Sequence, residues 1–435
     1  MEPTELQLRA GFSWETVERV QKSREILNVV GVLEGLTDKY SFEPEHLTPR
    51  KKDPNLTIAR MAGKVQTFEK LHSIFLPSIR DQLTSLVNSL DLIDPKKNPQ
   101  VVTDPTLEIL SNLDKTIEST VSAIVSLTLE SHLPDEKHDY GLEKLKVFRC
   151  SHLHEKTQLV VEGFVYEQLF RDVITSFIQW CALATVMNED QAMLKEGSDL
   201  RRRIEIAVAY PQRILDETIN WCRKSDWAIV QEGWLEASES CDEALETFIC
   251  RTRPTIQSTS EADSTNDNDQ RNDNRGFIVE VAKSAIPLIK LARILIKKTS
   301  GKISKKRLLV LGTTLELNSE TMTQLYQTPG SQSIFRLQDL ANLIYIYHHT
   351  TRTTPVPLEK RTQIRQIVEK IPRAMESTLT VLHSCLIPFL AQIEDQDSPE
   401  THLKSFLPIL RQSWDTASDH LMDVILSFEV EQMAI

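Results

Sequence analysis

The sequence predicts an all-α protein made of two helical bundles. Apolar residues recur at intervals of three and four along most of the chain, as on the buried face of an amphipathic helix. Glycine is scarce, at 12 of 435 residues, and aromatic residues make up only 6 %. This composition disfavours β-rich folds and the nucleotide-binding folds that need glycine loops. With 40 % apolar residues, a chain of this length can bury a core without disulfides or metal.

The first part of the chain, residues 1–251, is predicted to form one acidic bundle of about five or six helices. Its clearest stripe runs from Leu56 to Ile93, where Pro77 is expected to kink or split the helix. Pro211 is expected to bend or interrupt a later helix in the same way. The other predicted helices of this bundle cover about 105–127, 154–187, 198–221 and 226–250.

A polar tract separates this bundle from the rest. Residues 252–276 are rich in Asn, Asp, Ser and Thr, and Ile256 is their single large apolar residue. Because such a segment cannot bury enough surface to offset the entropy of ordering, we predict a disordered acidic linker. Helical periodicity resumes at Phe277, where a helix over 277–298 is apolar around most of its circumference. The second bundle, 277–435, adds helices at about 303–326, 332–349, 358–392 and 400–429.

Charge and cysteine usage limit the compartment and the partners. Residues 277–435 carry 18 Lys and Arg against 16 Asp and Glu, a net charge of +2, so the first 276 residues carry −14 and the whole chain −12. No specific nucleic-acid partner is expected, because phosphate binding needs a large cationic surface. The six cysteines form no CxxC pair and are expected to be free thiols in a reducing compartment. The longest uncharged windows are too short for a transmembrane segment, so none is expected.

No motif predicts catalysis. The chain contains no phosphate-binding glycine loop, no nucleophile elbow, no HExxH and no EF-hand loop. Cys150, His152 and His154 cannot all face one metal ion from a helix. The pair Glu69 and His72 has helical spacing but no second copy to face it. We therefore expect no catalytic, cofactor-binding or metal-binding residue and no cofactor, and we interpret the tryptophans at 180, 221, 227 and 234 as core residues.

Three linker serines are candidate phosphorylation sites. Ser258, Ser260 and Ser264 each have an acidic residue three positions later, which suits an acid-directed kinase. An inert spacer explains the same composition, and this interpretation is favoured.

Lys302, Lys305, Lys306 and Arg307 form a candidate basic patch. Cations complement the carboxyl end of a helix, so a solvated helix end is the favoured interpretation. The alternatives are a nuclear-import signal and a phosphate-contacting surface.

The organisation of the chain resembles a known family. An acidic helical region, an Asn/Asp-rich linker and the stretch Ile-Pro-Leu-Ile-Lys-Leu-Ala-Arg-Ile-Leu-Ile-Lys-Lys at 286–298 resemble the GCIP family of cyclin-D-binding proteins. The resemblance is clearest over about 226–310. It implies an all-α, two-bundle protein that binds other proteins in cell-cycle or transcriptional control, in the cytoplasm and the nucleus, with a cyclin as partner.

We therefore expect a non-enzymatic regulatory protein that binds a protein partner through an apolar surface between helices. Two alternatives stay open at the level of sequence: an all-helical enzyme with a dispersed active site, and a membrane-surface binder that uses the basic patch. The sequence leaves the oligomeric state open.

Overall fold

The computed structural model describes residues 14–37, 39, 42, 51–90, 101–128, 132–187, 191–252, 265–301, 317–327, 331–350, 358–391 and 399–433. Of these residues, 91 % are helical and 1 % lie in strands, which confirms the predicted all-α class. The chain divides into two compact units, unit 1 over Met1–Lys224 and unit 2 over Ser225–Ile435.

The described part of unit 1 contains five long helices. They are α1 (Trp14–Thr37), α2 (62–89), α3 (Thr103–Thr128), α4 (147–186) and α5 (Gln191–Arg223), with short 3-10 turns at Ile58–Met61 and Tyr140–Leu145. Two short parallel strands, β1 (Lys52–Asp53) and β2 (Leu133–Pro134), pair Lys52 with Leu133. Helix α2 packs against α3 and α5, and α1 packs against α4.

Prolines do not split the helices of unit 1. Helix α2 is continuous through Pro77, but it widens into a π turn over Leu71–Phe75 just before that proline. Helix α5 contains Pro211 in its interior and continues to Arg223, so of the two expected effects the interruption does not occur and the bend stays a prediction. Helix α4 also contains a π-helical stretch, Leu159–Ile174. There Thr175 Oγ1 donates to the carbonyl oxygen of Phe170, five residues back, at 2.8 Å.

The long pair α4 and α5 forms an antiparallel layer. His152 lies beside Trp221, and Phe164 packs edge to face on Tyr210 with ring centroids 4.6 Å apart. Farther along, Arg203 donates to Asp172 at 3.0 Å. At the far end Gly197 of α5 lies against the ring of Trp180. Buried apolar side chains on the two helices include Leu153, Val161, Phe177, Ile204 and Leu215.

Gly197 is expected to be intolerant of a side chain. A Cβ atom at Gly197 would lie 2.4 Å from Cζ2 of Trp180, and that ring is buried. We expect Gly197→Ala to destabilise unit 1 by about 1–3 kcal/mol because the ring must move.

Gly35→Ala is the matched control, since no atom lies within 4 Å of the corresponding Cβ on α1. Gly35→Ala should be neutral or stabilising by up to ~1 kcal/mol. Urea unfolding of both variants checks the difference, and equal midpoints would refute it.

Unit 2 contains seven helices among its described residues. They are α6 (Asp226–Thr252), α7 (Thr265–Gly301), α8 (Ser319–Gln327), α9 (Ser331–Thr350), α10 (Leu358–Val368), α11 (371–391) and α12 (Pro399–Met433). Helix α7 lies at the centre and packs against α6, α9 and α12. As the sequence predicts, the stretch 276–300 of α7 is exposed only along a narrow stripe, at Lys283, Pro287, Lys290, Ile294 and Lys297.

The boundary between the units differs from the expected one. The sequence places it in the polar tract after residue 251, whereas the structure divides the chain between Lys224 and Ser225. The reason is packing: α6 makes its largest contact with α7, so it belongs to unit 2. Within the predicted linker, 265–276 is assigned to the start of α7, and 253–264 lies outside the described residues.

Candidate interaction surfaces

Both groups of candidate site residues predicted from the sequence lie outside the part of the chain that the structure describes. Ser258, Ser260 and Ser264 lie outside the described residues, and so does the basic patch of Lys302, Lys305, Lys306 and Arg307. Phosphorylation of these serines and a role for the patch therefore stay predictions.

The described residues hold no group of three His, Cys, Asp or Glu side chains arranged as metal ligands. Cys150 is buried, while His152 lies 3.2 Å from Glu155 and His154 lies near the carbonyl oxygen of Phe42. The two histidines therefore contact different parts of unit 1. His72 Nε2 lies 3.2 Å from Oε2 of Glu69, so this pair forms a local contact along α2.

His152 should make unit 1 sensitive to acid. Burial beside Phe148 and Trp221 lowers the pKa of His152, and the hydrogen bond to Glu155 opposes this only in part. The neutral ring therefore stabilises the fold above the unfolded-state pKa of 6.5, and this stability is lost as the pH falls through the lower pKa of the folded state. We expect His152→Gln to reduce the difference in urea midpoint between pH 7 and pH 5. The same difference in wild type and variant would contradict this account.

Four of the six cysteines are buried thiols. Burial raises the pKa of Cys150, Cys181, Cys222 and Cys241 to about 12, so none of them forms a reactive thiolate near neutral pH. Cys250 is exposed, and Cys385 is half-buried with its Sγ 3.0 Å from Oε1 of Gln324.

Alkylation of the native protein should follow this burial. We expect iodoacetamide at neutral pH to modify Cys250 first and Cys385 more slowly, because access and thiolate formation both limit the rate. The four buried cysteines should react only after denaturation, as followed by peptide mass spectrometry. Rapid native modification of Cys150 or Cys222 would show that unit 1 is packed differently.

The four tryptophans that the sequence predicts to be core residues do lie in the core. Trp180, Trp221, Trp227 and Trp234 are all buried. Trp227 and Trp234 meet edge to face with ring centroids 5.3 Å apart, and Trp234 Nε1 donates to the carbonyl oxygen of Leu325. Both rings therefore bury apolar area in the core of unit 2.

A buried cation closes the carboxyl end of α5. Arg149 of α4 is fully buried, and its guanidinium donates to the carbonyl oxygens of Cys222 and Lys224 at 3.2 and 3.0 Å. The guanidinium also lies over the ring of Trp221, 5.3 Å from its centroid. Lys144 Nζ donates to the same carbonyl oxygen of Lys224 at 2.6 Å. These cations satisfy carbonyl groups that have no partner within the helix, so their role is structural.

A group of exposed apolar side chains lies at one end of unit 1. Leu183, Val186 and Met187 end α4, and Leu183 is 53 % exposed. Leu194 lies level with them, because Gly197 of the antiparallel α5 packs on Trp180. Val20 of α1 reaches the same end, since Ser23 Oγ donates to the carbonyl oxygen of Ala182. We call this surface the apolar end, and its residues are Val20, Leu183, Val186, Met187 and Leu194.

A second surface is an open groove between α11 and α12 in unit 2. Its volume is about 480 Å³, and Leu379 and Leu407 form its apolar floor. Glu376 and Arg411 close one end with an ion pair of 2.7 Å. The remaining lining residues are Thr380, His383, Ser384 and Pro408.

One described helical stretch, Tyr140–Val186, is long and apolar enough to cross a membrane. Half of its most apolar window is buried inside the protein, and core helices meet the same criteria. The expectation of no membrane span stays a prediction.

Comparison with known families follows the same division of the chain. A family model described as a domain of unknown function (DUF8723) matches residues 64–223. A second one, also described as a domain of unknown function (DUF8721), matches residues 225–423. The two matches meet where the structure divides into units. No curated protein and no solved structure matches the chain.

Sequence reasoning did not find the apolar end or the buried Arg149. Residues 177–187 are apolar on nearly every side, so periodicity alone cannot separate an exposed Leu183 from a buried Phe177. For Arg149 a signal exists, because it lies between Phe148 and Cys150 in an apolar stretch.

Proposed function

We propose that the protein is a non-enzymatic regulatory protein that binds another protein through the apolar end of unit 1. The supporting observation is the exposure of five apolar side chains on three neighbouring helices, α1, α4 and α5. Contiguous apolar surface costs free energy in water, and its burial is the main driving force for protein association. Trp14, which begins α1 and is 68 % exposed, is of a residue type enriched in binding hot spots.

The resemblance to the GCIP family supports a cyclin as the first purified partner to test, with a role in cell-cycle control in the cytoplasm and the nucleus. Binding by an apolar patch on a helical layer needs no catalytic residue, metal or cofactor. The proposal therefore agrees with a sequence that carries no motif for catalysis.

The test compares charged variants of the full-length protein. Leu183→Lys with Leu194→Lys places two cations in the apolar end without touching a buried residue. Leu159→Lys is the matched control, because Leu159 lies on the same helix and is 52 % exposed, almost the same as Leu183. Partners would be captured from cross-linked cells and quantified by mass spectrometry, with circular dichroism as a check of folding.

We expect wild type and Leu159→Lys to capture the same partner. The double variant should capture at least about tenfold less, because removing a hot spot costs more than about 1.4 kcal/mol. Equal capture by all three proteins would contradict the proposal.

A further inference from the structure

One short segment recurs in the two units. Residues 64–79 of α2 and 375–390 of α11 align without a gap and share five of sixteen residues, in the pattern Thr-x-x-x-Leu-His-Ser-x-x-x-Pro. The shared residues are Thr67, Leu71, His72, Ser73 and Pro77 in unit 1, and Thr378, Leu382, His383, Ser384 and Pro388 in unit 2.

The two segments have the same local structure at the same register. Each contains a five-residue π turn, Leu71–Phe75 in α2 and Leu382–Leu386 in α11. The backbone N–H of Leu76 donates to the carbonyl oxygen of Leu71, five residues back. In the same way, the N–H of Ile387 donates to the carbonyl oxygen of Leu382. The shared threonines also make the same bond to a carbonyl oxygen four residues back, at 3.0 Å in α2 and 2.9 Å in α11.

The π turn has a clear effect on which side chains face the core. One additional residue in a turn rotates the remainder of the helix by about 100° relative to an uninterrupted α-helix. Buried residues therefore occur five apart across the turn, at Leu71 and Leu76 in unit 1 and at Leu382 and Ile387 in unit 2. The flanking pairs at 68 and 79, and at 379 and 390, are buried as well.

Proline alone does not explain these turns. Proline lacks an N–H and crowds the carbonyl group four residues back, so a wider turn relieves the clash. Yet Pro211, Pro287 and Pro408 also lie inside described helices, and no π turn precedes them. In both segments the five-residue π turn therefore coincides with Leu-His-Ser followed by proline, whereas the longer π stretch of α4, Leu159–Ile174, contains neither.

We propose that the two units contain copies of one helical element, residues 64–79 and 375–390, whose Leu-His-Ser-x-x-x-Pro core encodes the π turn that sets the buried face. The copies keep this core and differ at the other eleven positions, both buried and exposed. In unit 2, Thr380, His383 and Ser384 line the groove between α11 and α12, whereas the corresponding residues of unit 1 are Glu69, His72 and Ser73.

Two variants of the full-length protein test the proposal through thermal unfolding midpoints. The graft variant replaces residues 64–79 by the sequence of 375–390, which keeps the shared residues and changes the other eleven positions. The erased variant, Ser73→Ala with Pro77→Ala, changes only residues that are not buried and raises helix propensity. Pro408→Ala is the matched control, because this exposed proline lies inside α12 without a π turn.

We expect the graft to shift the midpoint by less than about 5 °C, and the erased variant to lower it by about 10 °C because the buried faces on either side of residue 73 no longer align. Pro408→Ala should raise the midpoint.

An erased variant that gains stability as Pro408→Ala does would overturn the role of the motif. A graft that loses as much as the erased variant would overturn the equivalence of the two segments. If the graft does not fold, the smaller exchange Ile74→Cys, Phe75→Leu and Leu76→Ile decides in its place, with the same limit of about 5 °C.

Discussion

Trp234→Ala is expected to destabilise unit 2 by about 3–5 kcal/mol. Trp234 is fully buried on α6, packs edge to face on Trp227, and donates from Nε1 to the carbonyl oxygen of Leu325 at 2.8 Å. Alanine would leave a large cavity and remove the hydrogen bond that joins α8 to α6. Equilibrium unfolding in urea, followed by circular dichroism, measures the loss.

Leu235→Ala is the matched control for this prediction. Leu235 is the next residue on α6 and is 59 % exposed, so its truncation should cost less than about 1 kcal/mol. If both variants unfold at the same urea concentration, Trp234 does not lie in the core of unit 2, and the packing of α6 in that unit is wrong.

Arg149→Ala is the second large prediction, with an expected loss of about 3–5 kcal/mol in unit 1. The fully buried guanidinium is bonded to the carbonyl oxygens of Cys222 and Lys224 and lies over Trp221. Truncation would leave these helix-end carbonyls without that donor, in a place where water has little access.

Arg149→Lys should lose less than Arg149→Ala but should not match the wild type. Lysine keeps the charge, but its single ammonium cannot reproduce the planar stacking and the paired bonds of a guanidinium. Arg171→Ala is the exposed control, since its side chain is 52 % exposed and its ion pair with Glu167 is on the surface. That control should cost less than about 1 kcal/mol. An Arg149→Ala loss no larger than this would show that Arg149 is solvated.

Most of the helices and most of the core could be predicted from residue spacing, but α1 (Trp14–Thr37) was not. The stripe of α2, the nearly enclosed α7 and the burial of Trp227 and Trp234 all follow from apolar residues at intervals of three and four. Such predictions succeed because the burial of one helix face depends mainly on local periodicity.

The unit boundary could not be predicted, because the junction between Lys224 and Ser225 has no composition change to mark it. The conspicuous polar tract lies instead between two helices of the same unit, α6 and α7. Packing between distant segments decides that assignment, and a single sequence does not report it. The π turns were missed for a related reason: a spacing of five in one turn breaks the regular period on which the prediction relies.

The apolar end shows the same limit for function. Leu183 and Leu159 are both leucines on α4 with nearly equal exposure. Leu183 belongs to a larger apolar surface because exposed apolar residues of the neighbouring helices α1 and α5 reach the same end of unit 1. Exposed apolar residues of this kind become visible only after the helices have been assembled in three dimensions.

Photo-crosslinking in cells most directly tests whether another protein covers the apolar end. A photoreactive amino acid at position 183 of the full-length protein should crosslink to a different protein, whereas the same amino acid at position 159 should not. The account would be contradicted if position 183 gave no crosslinked product, or if it crosslinked only to a second copy of this chain. It would also be contradicted if position 159 gave as much product as position 183.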